Sequence, residues 1–424
     1  MTISDPRAYV YLQLPQSMEV VTAGFFELQP PPGPTAGLFV YNPAYLERAD
    51  AVALDPYELP LAPRRMQTVK LGGTFGTLRD ALPGAWGRRI IDQRAGGADL
   101  RHVDHLLNSP DDRAGALSFG RDKAPPALRR RFHPISQLPA LLGAAERLLT
   151  GDASHDADSA ERTLDLLQAA TSMGGARPKN VVEDEEGLWL AKFPHPGDTW
   201  SHARVEAAML ALAQACGLRA ARHRIESVGG RDVLLVQRFD RTLTAEGYLR
   251  HRMVSGLTVL GADDTPGDRA KWSYLLLADE LRRRSARPTQ DLEELFRRMV
   301  FNALISNTND HPRHHALIAM TDKWELSPAF DLTPHPANAE RRELAMACGV
   351  HDRLATRFNL LSRHGQFKLS REHAETIVDE IRQMVGARWH LVLREHGVRP
   401  AECERLAGAF SSPEFERDPA LALP

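Results

Sequence analysis

The sequence predicts an α+β protein, with a small β-rich N-terminal part and a mostly helical C-terminal part. Three observations carry this expectation. Residues 8 to about 72 hold short apolar runs broken by Pro and Gly, such as Tyr9-Val10-Tyr11-Leu12-Gln13-Leu14 and Gly37-Leu38-Phe39-Val40-Tyr41, the pattern of strands joined by tight turns. A strand–helix–strand rhythm occupies 180–240. Beyond 250, apolar residues recur at helical spacing.

Taken in order, the N-terminal strands suggest a small barrel or sandwich. The stretch Phe75 to Ile91 contains helical pieces around Leu82-Pro83-Gly84-Ala85-Trp86-Gly87-Arg88 and reads as the handover to a second unit. Helix follows from about 135, and Asp-rich, Ser-containing residues 152–160 read as an exposed loop. A helix is expected over Ala203–Cys216, stopped by Gly217, with Val205, Ala208, Met209, Leu212 and Cys216 as its apolar stripe. In a helix over 291–306, Leu292, Leu295, Phe296, Met299, Val300, Ala303 and Leu304 share a face, and Asp291 with Glu294 resembles a capping box. A further helix over 371–390 carries Ala374, Ile377, Val378, Ile381, Met384 and Val385 in the same rhythm. These stripes are core positions. The expected division is 1–110, 111–245 and 246–424.

A chain of 424 residues can bury two or three cores. It is 43% hydrophobic, 25% charged and 7% aromatic, an ordinary globular mixture. A formal net charge of −2 gives no support to general attraction for nucleic acid or membranes. The short runs Arg129-Arg130-Arg131 and Arg282-Arg283-Arg284 read as solvated surface, with a partner contact as the alternative. The start, Met1 to Arg7, shows no secretory pattern, and no run approaches the ~18 apolar residues of a membrane span. Cys216, Cys348 and Cys403 are far apart and odd in number, so reduced thiols and a cytoplasmic setting are expected.

Five segments are candidates for chemistry. In Ser172-Met173-Gly174-Gly175-Ala176-Arg177-Pro178-Lys179 the paired glycines would let backbone N–H groups approach phosphate, and Lys179 supplies charge; a turn-forming Gly-Gly is the structural alternative. In Leu188-Trp189-Leu190-Ala191-Lys192-Phe193, period-two geometry aligns Lys192 with Leu188 and Leu190. A lysine in a buried row needs an anion, such as nucleotide phosphate; a strand-end lysine reaching water is the alternative. Glu206 would pair with Lys192 as the helix glutamate of kinases does, or face solvent. The apolar strand Val233–Val236 empties into Gln237-Arg238-Phe239-Asp240-Arg241, either a hinge beside a nucleotide base or a surface ion-pair turn.

The densest polar run is Asn302-Ala303-Leu304-Ile305-Ser306-Asn307-Thr308-Asn309-Asp310-His311-Pro312-Arg313-His314-His315, followed by a second acidic turn, Leu326-Ser327-Pro328-Ala329-Phe330-Asp331-Leu332-Thr333-Pro334. Phosphoryl transfer needs a carboxylate to orient the hydroxyl and oxygen or amide ligands for magnesium. Asp331 follows a strand-like stretch, as a metal-binding aspartate would; capping is its structural alternative. No cysteine lies near the three histidines and their spacing fits no common zinc pattern.

With these pieces in order, the chain resembles the HipA family, the serine/threonine-kinase toxins of bacterial type II toxin–antitoxin modules, over nearly its whole length. The resemblance implies a bilobed, protein-kinase-like fold: an N-terminal subdomain over 1–110, an N-lobe-like region over 111–245 and a helical C-lobe over 246–424. It implies ATP and Mg2+ as cofactors and transfer of the γ-phosphate to a Ser or Thr of a protein, aminoacyl-tRNA synthetases being the family's substrates. Nucleotide contacts would fall on Gly174, Gly175, Ala176, Lys179, Lys192, Gln237, Phe239 and Asp240. Ser172 falls at the family's autophosphorylation position. The usual partner is a helix-turn-helix antitoxin of HipB type, through which any DNA contact would run.

The catalytic loop departs from the family pattern Thr-Asp-(Asp/Gly)-His-x-(Lys/Arg)-Asn. Here it reads Thr308-Asn309-Asp310-His311-Pro312-Arg313-His314, placing Asn309 at the catalytic aspartate, with Asp310 beside it, and His314 at the metal asparagine. Asp331 is the second metal position. A carboxamide cannot accept the hydroxyl proton, and imidazole is a poor magnesium ligand. Three readings follow: a kinase fold inactive as written, whose active form carries Asp at 309; a natural pseudokinase that binds ATP or an antitoxin as a regulator; or an active kinase using Asp310 or an unusual metal geometry.

Overall fold

The computed structural model describes residues 6–29, 35–126, 132–151, 157–167, 174–336, 341–410 and 413–417. Ser172 and the Arg129-Arg130-Arg131 run lie outside them. The chain divides into two units, the first built from residues 1–196, 227–254 and 318–322, the second from 197–226, 255–317 and 323–424. Strands gather in the first and long helices in the second, as the α+β reading expects.

The first unit opens with five antiparallel strands, β1 Arg7–Gln13, β2 Val20–Leu28, β3 Gly37–Tyr41, β4 Met66–Thr68 and β5 Leu117–Gly120, in the order β4-β3-β2-β1-β5. Alternation is clear in β3, where Gly37, Phe39 and Tyr41 are buried and the residues between them are half-covered. This is one sheet, not the barrel or sandwich expected from the strand pattern. Its inward face packs on helical segments instead of on a second sheet: Val10, Leu12, Phe26 and Phe39 share a core with Leu78, Val103 and Leu106.

A second sheet of this unit contains β6 His133–Pro134, β7 Lys179–Asp184, β8 Gly187–Lys192 and β9 Arg231–Gln237, neighbours in that order. β6 runs parallel to β7, and β8 pairs antiparallel with both β7 and β9. Helix α1, Ala85–Arg94, and helix α2, Leu138–Thr150, cover it: Trp86, Leu141 and Leu142 pack with Trp189, Ala191, Val233 and Leu235. The loop expected over 152–160 is already helical from Ala157, because Leu164 and Leu167 turn onto the same core.

The second unit contains α3 His202–Ala215, α4 Tyr274–Arg284, α5 Pro288–Leu304, α6 Arg371–Glu395 and α7 Pro400–Phe410. The expected stripes of α3, α5 and α6 are buried, apart from a half-exposed Met384. α5 starts three residues earlier than the capping-box reading places it, with Pro288 in its first turn. Asp291 is fully buried and accepts from Arg219 Nη2 at 2.7 Å, Ser285 Oγ at 2.7 Å and the Leu326 amide at 2.9 Å. Glu294 accepts from Arg298 Nε at 2.8 Å and from the Arg219 amide at 3.2 Å. Neither carboxylate caps the helix; both bind neighbouring segments to it.

Asp291→Ala leaves three donors without their acceptor. It is expected to lower unfolding free energy by about 3 kcal/mol, the range for hydrogen bonds to a buried charge, read as a lower urea midpoint at unchanged slope.

Candidate functional site

In the first unit Gly174, Gly175, Ala176, Lys179 and Lys192 gather at the start of β7, whereas Gln237 pairs with Trp189 toward its other end. Gly174, Gly175 and Ala176 are exposed, and Gly175 has φ +96°, a conformation that L side chains rarely adopt. Lys179 Nζ folds back to donate to the Gly174 carbonyl at 2.6 Å. A Cβ on Gly175 would sit 2.2 Å from that ammonium. The β7–β8 register sets Lys179 directly opposite Lys192, so both side chains leave the same face. Like charges so placed repel, and an anion between them relieves the repulsion.

The row expected to carry Lys192 is covered at its start: Leu188 is buried with Val181 and Tyr248, Leu190 packs against them, and Lys192 is half-covered at the strand end. The opposite face, with Trp189 and Ala191, is buried as well. β8 is central, so both faces are partly sheltered and the alternation is blurred. Glu206 is buried on α3, a helix of the second unit.

Gln237 is half-exposed at the end of β9 and donates to the Glu186 carbonyl at 3.2 Å. Phe239 is also half-exposed. Asp240 faces inward: Oδ2 accepts from Arg238 Nη2 at 2.9 Å, Arg241 Nη1 at 2.8 Å and the Gly115 amide at 2.9 Å. Arg238 also pairs with Asp112. Burial alone would raise the Asp240 carboxyl, but the Arg238 and Arg241 guanidiniums outweigh it and hold it well below the usual range. Arg238, Asp240 and Arg241 thus form an ion-pair turn, but a buried one where a surface one was expected, and it fastens residues 112–115 to the end of β9.

In the second unit α5 ends at Leu304 and the chain turns through Ser306 at φ +52°. The buried Asn307 donates from Nδ2 to Asn302 Oδ1 at 3.0 Å, and Asn302 Nδ2 reaches the Tyr274 hydroxyl at 3.3 Å. The loop then separates its two candidate catalytic residues. Asn309 is exposed, whereas Asp310 is 1% exposed. Asp310 Oδ2 accepts from the Tyr274 hydroxyl and lies 2.9 Å from His315 Nε2. Burial would raise its carboxyl; His315, by charge and by hydrogen bond, outweighs that and keeps it below the ordinary value. Burial, then the Asp310 charge, pushes the Tyr274 phenol far up.

Tyr274 is the member of this node that sequence reading missed. It lies far upstream on α4, and a tyrosine beginning a helix carries no local sign of such a partner.

Asp331 and His314 do come together, with His314 Nε2 2.7 Å from Asp331 Oδ2. Asp331 takes φ +58°, a left-handed conformation uncommon for a non-glycine residue. The turn that holds it is strapped at several points: the Ala329 amide donates to the Arg219 carbonyl at 2.7 Å, and Arg298 Nη2 to the Ser327 carbonyl at 2.5 Å. The His311 ring lies 3.9 Å from that of His314. Burial, then the His314 charge, depresses the His311 imidazole to about 4.

This donor set does not fit magnesium. An imidazole stands where a hard oxygen ligand is wanted, and it is already within hydrogen-bond distance of the one carboxylate. Among the described residues no group of three or more His, Cys, Asp or Glu side chains is arranged to hold a metal ion.

A cavity of about 440 Å³ in the second unit is lined by Arg204, His223, Arg224 and His396, among others. Its basic groups serve the end of α6: Arg204 Nη1 donates to the Gly397 carbonyl at 2.8 Å, and His396 Nδ1 lies 2.8 Å from the Val392 carbonyl.

A glycine-rich loop leading into a lysine-bearing sheet, and a polar loop after a buried helix followed by an acidic turn, define the protein-kinase-like class. The chain belongs to the HipA family: the HipA-like C-terminal domain matches residues 171–389. HipA of Shewanella oneidensis MR-1, solved with HipB and operator DNA, shares the fold at a TM-score of 0.66 and 17% identity, covering 95% of each chain. The Sinorhizobium fredii protein named "Putative kinase Y4mE" is 29% identical over 153 residues, 34% of this chain. The matched stretch spans about a third of that relative's length, 33%.

Two outcomes follow from this geometry. Because folded His311 titrates near 4 and an unfolded histidine near about 6.5, the unfolded state binds the extra proton between those values. Stability is therefore expected to fall as pH drops from about 6.5 to about 4, and His311→Gln should flatten that part of a Tm–pH curve. Millimolar Mg2+ should leave Tm unmoved, since an ion stabilises only what it occupies; a clear rise would show a magnesium site the donor set does not suggest.

Proposed function

We propose that this chain is a HipA-type serine/threonine-kinase toxin fold that, as written, transfers the ATP γ-phosphate to a protein hydroxyl at a negligible rate. One observation carries the reading: the side chain offered at the loop tip is the carboxamide Asn309, while the neighbouring carboxylate, Asp310, is turned into the protein against Tyr274 and His315. A base must reach the hydroxyl it deprotonates. Asn309 reaches but cannot accept a proton, and Asp310 accepts hydrogen bonds but faces inward. Use of Asp310 as the base would cost both of its internal partners.

The phosphate-binding half of the fold supports retained ATP affinity. Gly175, Lys179 and Lys192 keep the backbone conformation and paired positive charge that suit a phosphate chain. A second reading, a pseudokinase that works by binding ATP or a HipB-type antitoxin, is favoured by this contrast between a kept anion site and a disabled loop. The partner class is supported by the Shewanella HipA complex, which contains HipB and operator DNA. A cytoplasmic setting belongs to the same reading and rests on three free, buried cysteines. An aminoacyl-tRNA synthetase is the proposed substrate class for an active form, and Ser172 the proposed autophosphorylation site.

Radiolabelled ATP and mass spectrometry test the proposal. Negligible label is expected on the unchanged chain or on a synthetase substrate. Asn309→Asp combined with His314→Asn, which supplies both a base and an amide metal ligand, is expected to raise transfer by at least about 10²–10⁴-fold, the usual worth of a general base. Robust labelling of the unchanged chain would overturn the reading. Gain of activity in Asn309→Asp alone favours the disabled-kinase form over the regulatory one.

A further inference from the structure

The turn Pro83-Gly84-Ala85-Trp86 and the glycine-rich loop are about ninety residues apart in sequence yet in direct contact within the first unit. A Cβ on Gly84 would lie 2.3 Å from the Gly175 amide nitrogen and 2.6 Å from the Gly174 carbonyl carbon and the Gly175 oxygen. Those are backbone atoms, so no rotamer change relieves the overlap. The Trp86 amide donates to the Gly175 carbonyl at 3.2 Å, and its indole Nε1 donates to the Lys179 carbonyl at 3.1 Å. Trp86 is 2% exposed and packs in the core beneath the second sheet with Trp189 and Leu142. One residue therefore joins the loop to a buried core of its unit, at both ends of the segment 175–179.

The glycine at 84 has a specific task in this arrangement. Its own φ of −69° lies in the ordinary range for any residue, so no backbone strain demands glycine there. What demands it is the closeness of the loop. Lys179 turns back onto the Gly174 carbonyl at 2.6 Å, closing the loop on itself while the 84–86 turn supports it from below. The exposed side of Gly174, Gly175 and Ala176 is left clear.

We propose that the 83–86 turn is the seat of the glycine-rich loop, with Gly84 and Trp86 as positioning residues that hold residues 174–179 in their anion-ready shape. Any side chain at 84 unseats the loop. The structural half stands on the contacts alone; the consequence for ATP rests on the reading that this loop holds nucleotide phosphates.

Hydrogen exchange by mass spectrometry on the full chain tests it, comparing the parent with Gly84→Ala, Trp86→Phe and the control Gly143→Ala. Gly143 lies in α2, where an added Cβ meets only the Arg147 side chain at 3.5 Å. Gly84→Ala is expected to speed exchange at the Trp86 amide and across 174–180 by at least about tenfold, while protection in β1–β3 and α5 is kept. Trp86→Phe keeps an aromatic side chain but removes the indole Nε1 donor, so it should give a smaller rise in the same segments; it decides the matter if Gly84→Ala fails to fold. Unchanged exchange at 174–180 in a folded Gly84→Ala protein overturns the proposal. ATP calorimetry on the same samples separates the two ideas: a seat lost with ATP affinity unchanged leaves the proposal standing and removes the phosphate role of the loop. Loss of both supports both.

Discussion

A carboxylate taken out of water must be met by donors, and the second unit is arranged around that requirement. Asp310 is met by the Tyr274 hydroxyl and by His315; Asp291 by Arg219, Ser285 and the Leu326 amide. These two residues fasten α4, α5, the polar loop and the acidic turn to one another. The orientation of the loop follows from it. With Asp310 committed inward, its neighbour Asn309 is displayed outward, and the chemistry available at the tip is that of a carboxamide. Burial thus decides which of two adjacent side chains a substrate would meet.

The first unit meets the same requirement with arginine. Arg238 and Arg241 each hold Asp240, and Arg238 reaches Asp112 as well. Guanidinium groups suit this because one planar fork serves several acceptors at once. The outcome is a buried junction where β9 ends, which ties residues 112–115 to the chain leaving that strand. Breaking one member would strand the others without water, so the network works as a whole.

Much of this was legible in the sequence. Apolar stripes at helical spacing located α3, α5 and α6, because a period of 3.6 survives wherever one face is buried. The strand carrying Lys192 and the covered row it continues were located, but not the burial of the opposite face, Trp189 and Ala191, since a central strand sheltered on both sides loses the alternation that would mark it. The sandwich expectation failed for a related reason: a strand shows only that one face is covered, not whether sheet or helix covers it. Asp291 and Glu294 looked like a local capping pair, and only the fold reveals that Arg219 and Leu326 claim Asp291. At the candidate site, the identities of Asn309 and His314 could be read directly, whereas the inward turn of Asp310 depends on Tyr274, a contact no spacing rule anticipates.

The contact between Gly84 and Gly175 has an evolutionary side. Two positions that touch through their backbones cannot vary one at a time: a methyl group at 84 has no space while the loop stays where it is, and the loop cannot move without giving up its hydrogen bonds to Trp86. Substitutions at either place would be purged singly and admitted only in company. Comparing many relatives, the stretch around 84 should therefore drift in step with the glycine-rich loop, even though it carries no group that touches a ligand.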